Sequence, residues 1–183
     1  MRQLEMMSNF VRLAAHLQPD SVVDGPGIRC VIWAQGCGHN CPGCHNPQTH
    51  PFDSGNVVSI DELCEQISAY GQNITLSGGD PFFQSDSFAK IAKFAKSIGL
   101  TVWAYTGFTF ETLINNEQYL NLLKYVDVLV DGRFDISKKS SECKFRGSTN
   151  QRLIDVKQSL INKNVVLWSD EFDTFQIKNN TYF

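Results

Sequence analysis

Apolar residues recur along the chain in two rhythms. Short β-branched or aromatic runs read as strands at 11–17, 28–34, 73–76, 100–105, 126–130 and 151–156. Between them lie patterns of helical period. Ile60, Leu63, Cys64 and Ile67 fall at i, i+3, i+4 and i+7, with Ser59 and Glu62 spaced as a capping box and Gly71 as the stop. Phe88, Ile91, Ala92, Ala95 and Ile98 form a second stripe, ended by Gly99. Opposite it, Lys90, Lys93 and Lys96 read as the solvated face of a helix packed on a sheet, in preference to a membrane-lying helix. Residues 109–116, 117–125 and 157–163 read as further helix, and 165–168 as an apolar finish. Segments 46–56 and 133–148 read as loops.

Strand and helix alternate, which predicts an α/β fold with a parallel sheet and helices outside it. Such units close into a barrel or lie open as a wound sheet, and the alternation does not separate the two. Both gather functional groups at the carboxyl ends of the strands. The notable residues stand there: a cysteine loop after 28–34, Gly78-Gly79-Asp80-Pro81 after the next strand, Thr106-Gly107 after the third and Asp131-Gly132 after the fourth. No repeat or linker interrupts the pattern. A single domain over 1–183 is expected, with loose ends at 1–9 and 172–183.

Composition narrows the class. At 42% hydrophobic and 19% charged, the 183 residues are enough for one ordinary core. A net charge of −3 and a pI near 5.8 give no sign of a nucleic-acid binder. No apolar run is long enough to cross a bilayer, and the first residues lack a secretory pattern. A cytoplasmic protein is expected, in which the six cysteines are ligands or free thiols rather than disulfides.

Cys37-x3-Cys41-x2-Cys44 brings three thiols into one glycine- and proline-containing loop. A structural zinc site wants four protein ligands, and His39, His45 or Cys30 are the available fourth groups. No second cysteine pair completes a zinc ribbon. An iron–sulfur cluster held by three thiolates keeps one iron open for a small molecule, and this is the favoured reading. A simple electron carrier is a further alternative. Cys30 in a strand and Cys64 on a helix face read as buried hydrophobes, and Cys143 as a loop thiol. Gly78-Gly79 reads either as a plain strand-to-helix turn or as an edge whose backbone carbonyls hold an ammonium group.

The cysteine spacing followed by Gly78-Gly79-Asp80-Pro81 resembles the radical S-adenosylmethionine superfamily. Asp24-Gly25-Pro26-Gly27-Ile28-Arg29 resembles its glycyl-radical-enzyme activases. Trp103 to Thr109, Asp127 to Gly132 and Phe145 to Arg152 are similar to the activating proteins of anaerobic ribonucleoside-triphosphate reductases. The resemblance runs from about Val11 to Trp168. It implies a partial (β/α) barrel of about five to six mostly parallel strands. It implies a [4Fe-4S] cluster on Cys37, Cys41 and Cys44 that reductively cleaves S-adenosylmethionine. The 5′-deoxyadenosyl radical then takes a hydrogen from a glycine of the reductase large subunit, for deoxyribonucleotide synthesis without oxygen. An electron donor such as flavodoxin is implied, and an activase of pyruvate formate-lyase is the runner-up.

The resemblance further implies that Gly43, Cys44 and His45 line the adenine and that Gly78 and Gly79 hold the ammonium group. Thr106 and Asp131 are expected at the carboxylate, Asp131 through a cation, and Asp24 is expected to orient the glycine peptide or to serve only as a turn carboxylate. Arg29 and Arg146 are expected either to pair with a carboxylate of ligand or partner or to form surface ion pairs. Gly43, where an aromatic residue is common, and Asp80 in place of Glu differ from the superfamily's habit, Gly43 in common with the activases, and His50 stands where the family usually shows Trp.

Overall fold

The computed structural model describes residues 9–169. The expectations for 1–8 and for the 172–183 tail lie outside the described residues. The strands are β1 (Phe10–Leu13), β2 (Gln18–Ser21), β3 (Arg29–Ala34), β4 (Asn56–Ser59), β5 (Asn73–Gly78), β6 (Val102–Tyr105), β7 (Val128–Asp131) and β8 (Arg152–Asp155). The helices are α1 (Ile60–Tyr70), α2 (Ser85–Ser97), α3 (Phe110–Ile114), α4 (Glu117–Leu123) and α5 (Val156–Asn162).

One eight-stranded sheet runs in the order β4-β1-β3-β5-β6-β7-β8, with β2 paired to β3 off this path. β3, β5, β6 and β7 are parallel neighbours. β1, β2, β4 and β8 pair antiparallel. The architecture is thus a mixed α/β sheet with a parallel centre, and the expected five to six mostly parallel strands are corrected to eight, half of them antiparallel. β2 and β4 are four-residue edge strands of sequence QPDS and NVVS, too short and polar to stand out as apolar runs. β8 returns from β7 through a loop without a crossover helix, so it runs antiparallel.

The parallel register aligns the strand ends. Ala34 lies opposite Gly78, Thr75 opposite Trp103, and Tyr105 opposite Val130. Every loop leaving a parallel strand therefore opens on one edge.

Side-chain alternation divides the sheet into two faces. Ile74, Leu76, Val102, Ala104 and Leu129 join Ile60, Leu63, Ile67, Phe88, Ile91 and Ala95 of the helices in the larger core. Burying each large apolar side chain there contributes about 1.5–3 kcal/mol. The other face carries Trp103, Val128 and Val130, packed by Tyr105, Phe145, Leu153 and Trp168.

Most helix signals operate as expected. Gly71 takes φ +61° and its N–H bonds the Ile67 carbonyl. Asn116 accepts from the Gln118 and Tyr119 N–H groups, which separates α3 from α4. The Ser59–Glu62 capping box is corrected. Ser59 is the N-cap, but its side chain makes no cap bond, because its backbone is already committed to β4 opposite Phe10. Ile98 is also corrected: it follows the end of α2 and is 41% exposed. Among the described residues no helix is long and apolar enough to cross a membrane.

Candidate functional site

β3 delivers the chain into the cysteine loop, and the loop is tied down before it is used. The Gly36 and Cys37 N–H groups bond the carbonyls of Thr49 and His50. The Gly79 N–H reaches the Ala34 carbonyl, and the Asp80 N–H reaches that of Gly36. These contacts explain the two glycines after β5. A Cβ on Gly78 would stand 2.6 Å from the Ala34 backbone, and one on Gly79 2.5 Å from the Gly36 carbonyl. The pair lets two strand ends meet without side chains between them.

Asp80 joins the same edge from within. It is 1% exposed. Its Oδ1 accepts from the Phe82 N–H at 2.9 Å. Its Oδ2 accepts from the Thr106 hydroxyl at 2.8 Å and the Gly107 N–H at 3.0 Å. His39 Nε2 lies 2.8 Å from the same oxygen and, facing a carboxylate, donates to it. The His39 ring rests against Phe83 and Phe108. A Cβ on Gly107 would meet that ring at 2.4 Å. One carboxylate therefore ties the middle of the cysteine loop to the end of β6. His39 is a positioning residue and not a spare metal ligand.

Above this edge lies a cavity of about 550 Å³. Cys37, Cys41 and Cys44 line it together with Asp24, His45, His50, Gly78, Gly79 and Thr106. All three thiols are free. Burial pushes the Cys37 thiol up to about 11; a backbone hydrogen bond at His39 opposes this, and the charges of Asp80, Cys41 and Cys44 add to it. The Cys44 sulfur accepts from the Asn46 N–H at 3.4 Å. Among the described residues no three His, Cys, Asp or Glu side chains gather tightly enough to hold one metal ion. The three thiols share the lining of one cavity, which leaves room beside them for an inorganic group. Cys30 is buried in β3 and does not line the cavity, so it offers no fourth ligand.

Two expected site residues are placed elsewhere. Gly43 takes φ +72° and faces Ile136, where a Cβ would come within 2.5 Å. Asp131 lines a neighbouring cavity of about 650 Å³ that shares only Gly132 and Phe134 with the first. Its Oδ1 accepts from Arg152 Nε and its Oδ2 from Arg152 Nη2 and the Phe110 N–H. Arg152 also grips Glu111 with both terminal nitrogens. With these donors in place, Asp131 anchors the end of β7.

Arg29 is likewise corrected. It is 1% exposed and bonds Thr75, Thr101 and the Ile74 carbonyl, with Trp103 beneath its guanidinium. Burial pulls it down to about 10. It supports the floor of the site, and among the described residues it hydrogen-bonds no carboxylate. Thr75, held by Arg29, donates in turn to the Asp24 carbonyl, while the Asp24 carboxylate accepts from Ser21.

Several cavity residues carried no signal in the sequence. Trp33, Ser77 and Tyr105 alternate with core residues along β3, β5 and β6 and face the cavity. Burial and the Asp24 charge hold the Tyr105 phenol well above its ordinary range. The polar segment after β7 forms the opposite wall through Phe134, Cys143, Lys144, Phe145, Arg146, Gly147 and Gln151. Alternation points to the strand residues once a strand's inner face is known; of the wall, the Phe145 to Arg152 stretch carried a signal through its resemblance, and Phe134 and Lys144 carried none.

Residues 23–154 match the family described as a 4Fe-4S single cluster domain. An anaerobic ribonucleoside-triphosphate reductase-activating protein of Enterobacteria phage T4 is 34% identical over 145 residues, 75% of this chain and 90% of that protein. The proteins of that name from Salmonella typhi and Escherichia coli K12 are 35% and 33% identical, each over 73% of this chain and 92% of theirs. Among solved structures, QueE from Escherichia coli aligns with TM-score 0.47 and 16% identity, over 55% of this chain and 53% of that one.

Proposed function

The chain belongs to the family of anaerobic ribonucleoside-triphosphate reductase-activating proteins, and from that premise we propose that it installs a glycyl radical on such a reductase. Cys37, Cys41 and Cys44 hold a [4Fe-4S] cluster in this reading, and S-adenosylmethionine occupies the adjoining cavity. The observation that carries it is the meeting of three free thiols and the Gly78-Gly79 edge around one cavity at the carboxyl ends of β3 and β5.

When bound, the cluster supplies the electron that cleaves S-adenosylmethionine to methionine and the 5′-deoxyadenosyl radical that takes hydrogen from the glycine. The residues of this chain do the rest. The cysteines shed their protons to become ligands; burial pushes the Cys37 thiol up to about 11, so its thiolate form depends on an iron partner. The Gly78 and Gly79 carbonyls hold the ammonium group, and His45 borders the adenine. Asp24, anchored through Ser21 and Thr75, faces the incoming glycine segment. The cavity mouth is flanked by the exposed Val22 and Val23, and the reductase's glycine loop closes over them. Holding reactants in a fixed geometry this way is worth roughly 7–11 kcal/mol of barrier. The chain acts in this reading as one radical S-adenosylmethionine domain, its sheet the open part of a (β/α) barrel, in the cytoplasm and served by a small carrier such as flavodoxin.

The test is anaerobic incubation of reduced, iron-reconstituted protein with S-adenosylmethionine and the reductase large subunit. A glycyl radical resonance on the reductase is expected. A resonance on pyruvate formate-lyase alone would move the reading to that partner, and none on either would end it.

A further inference from the structure

The segment that follows β7 has two sides. Its inner side walls the cavity beside the cysteines through Phe134, Cys143, Lys144 and Arg146. Its outer side lines the neighbouring cavity of about 650 Å³ through Arg133, Asp135 and Ile136, together with Pro42 of the cysteine loop. The outer side touches the cysteine loop directly. Ile136 lies against Gly43, where a Cβ would come within 2.5 Å of its Cδ1. Gly43 sits between Pro42 and Cys44. One side chain therefore connects the outer groove to the backbone beside Cys44.

Positive charge collects on this segment. Residues 133–147 carry Arg133, Lys138, Lys139, Lys144 and Arg146 against Asp135 and Glu142, in a chain of net charge −3. Lys144 and Arg146 line the inner cavity, and Arg152 is held by Asp131 and Glu111. Arg133, Lys138 and Lys139 are exposed. Even with Asp135 paired to Lys138 at 3.5 Å and Glu142 counted, the segment stays positive. Ile136, 57% exposed, opens the turn that carries Lys138. An apolar side chain rimmed by charge matches the anatomy of a protein-docking patch. Charges of one sign also steer a partner of the other sign toward it.

We propose that this outer groove, with Ile136 at its centre and Arg133, Lys138 and Lys139 on its rim, docks an acidic one-electron carrier protein that reduces the cluster. The proposal rests on the functional reading above, which needs an electron from outside the chain. The carrier gives up one electron and the cluster gains it; no bond forms or breaks. An acidic carrier fits the charges, because the remainder of the chain is negative and repels it elsewhere. The place fits a carrier better than the reductase. The reductase's glycine must enter the first cavity, which Val22 and Val23 flank, and the outer groove shares only Gly132 and Phe134 with that cavity. A carrier needs only the edge of the cysteine loop, so the two partners use different faces.

The test uses the iron-reconstituted protein and an acidic flavodoxin. Two quantities are read: the Kd for oxidised flavodoxin by isothermal titration calorimetry, and the second-order rate of cluster reduction by reduced flavodoxin in stopped flow. The combined variant Arg133→Glu, Lys138→Glu, Lys139→Glu is expected to weaken binding and slow reduction by roughly 10- to 100-fold at low salt. The difference should shrink at about 1 M salt, where the Debye length is about 3 Å. Gln at the same three positions, the milder change for folding, should give a smaller fall with the same salt dependence. Lys93→Glu, Lys124→Glu, Lys157→Glu makes the same change of net charge on the helix side and should leave both quantities nearly unchanged. Excess dithionite should reduce the cluster to the same extent in every variant. Equal falls in the two Glu variants, or no fall in the first, would overturn the proposal. Loss of affinity for the reductase in place of flavodoxin would assign the groove to the reductase and also overturn it. A wild-type cluster that dithionite reduces and flavodoxin does not would overturn the carrier as occupant. Failure of the wild-type protein to assemble a [4Fe-4S] cluster would overturn the functional reading itself.

Discussion

The two faces of the parallel sheet come from the same four strands, yet they are built on opposite principles. On the helix face, Ile74, Leu76, Val102, Ala104 and Leu129 meet only other apolar groups. On the cavity face Arg29, Thr75, Ser77 and Tyr105 are polar and several are tied into a network, beside the apolar Trp103, Val128 and Val130. The first face stabilises by area removed from water, which tolerates many side chains of the right size. The second is held by directional bonds that each need a named partner. Stability thus resides mainly on one side and chemistry on the other, separated by a single residue step along β3, β5 and β6.

The comparison breaks most visibly at the cysteine loop. Replacing any one of Cys37, Cys41 and Cys44 by Ala is expected to abolish the cluster's broad visible absorption and all radical formation. The denaturant midpoint of the iron-free protein should move little, because these residues contribute little to the larger core. A core substitution should do the reverse. Phe88→Ala is expected to cost about 3–5 kcal/mol of unfolding free energy, with iron content per folded chain unchanged. Denaturation monitored by circular dichroism alongside iron analysis separates the two outcomes.

These faces were not equally legible in the sequence. α1 and α2 follow from period alone, since Ile60, Leu63, Ile67 and Phe88, Ile91, Ala95 need only an apolar side to bury. The cysteines and Gly78-Gly79 stood out because their residue types are uncommon at that spacing. β2 and β4 were missed, as edge strands of four polar or mixed residues carry no period to read. Arg29 was misplaced because its partner Thr101 lies 72 residues away, and the Arg152 bonds that fix Asp131 come from 21 residues away. Such pairings are set by tertiary contact and leave no local mark. His39 looked like a ligand for the same reason, before its bond to Asp80 was visible.

Smaller effects sharpen the contrast. Asp80→Asn keeps the shape but offers an amide to donors that now meet an acceptor. It is expected to destabilise by about 1.5–3 kcal/mol and to lower iron retention, the one substitution in this set that registers on both faces. Thr75→Val removes the links to Arg29 and to the Asp24 carbonyl. About 1–2 kcal/mol of stability should be lost, with a larger fall in radical transfer to the reductase than in cleavage of S-adenosylmethionine.

The smallest effect lies outside both faces. The Arg152 bond, then its charge, holds Glu111 down at about 2 despite some opposing burial. A depressed folded value means that the stabilisation is present above the ordinary carboxylate range and is lost as pH falls from about 4.5 toward 2. Glu111 is about half exposed, so this should amount to less than about 1 kcal/mol. Glu111→Gln should flatten that part of the stability–pH curve and leave the rest unchanged.

The most direct measurement of the central claim is iron, sulfide and zinc content of anaerobically reconstituted protein, followed by electron paramagnetic resonance of the reduced sample with and without S-adenosylmethionine. The account predicts iron and sulfide for one [4Fe-4S] cluster per chain and a signal that changes shape when S-adenosylmethionine is added. A colourless protein with stoichiometric zinc, or a cluster whose signal ignores S-adenosylmethionine, would contradict it.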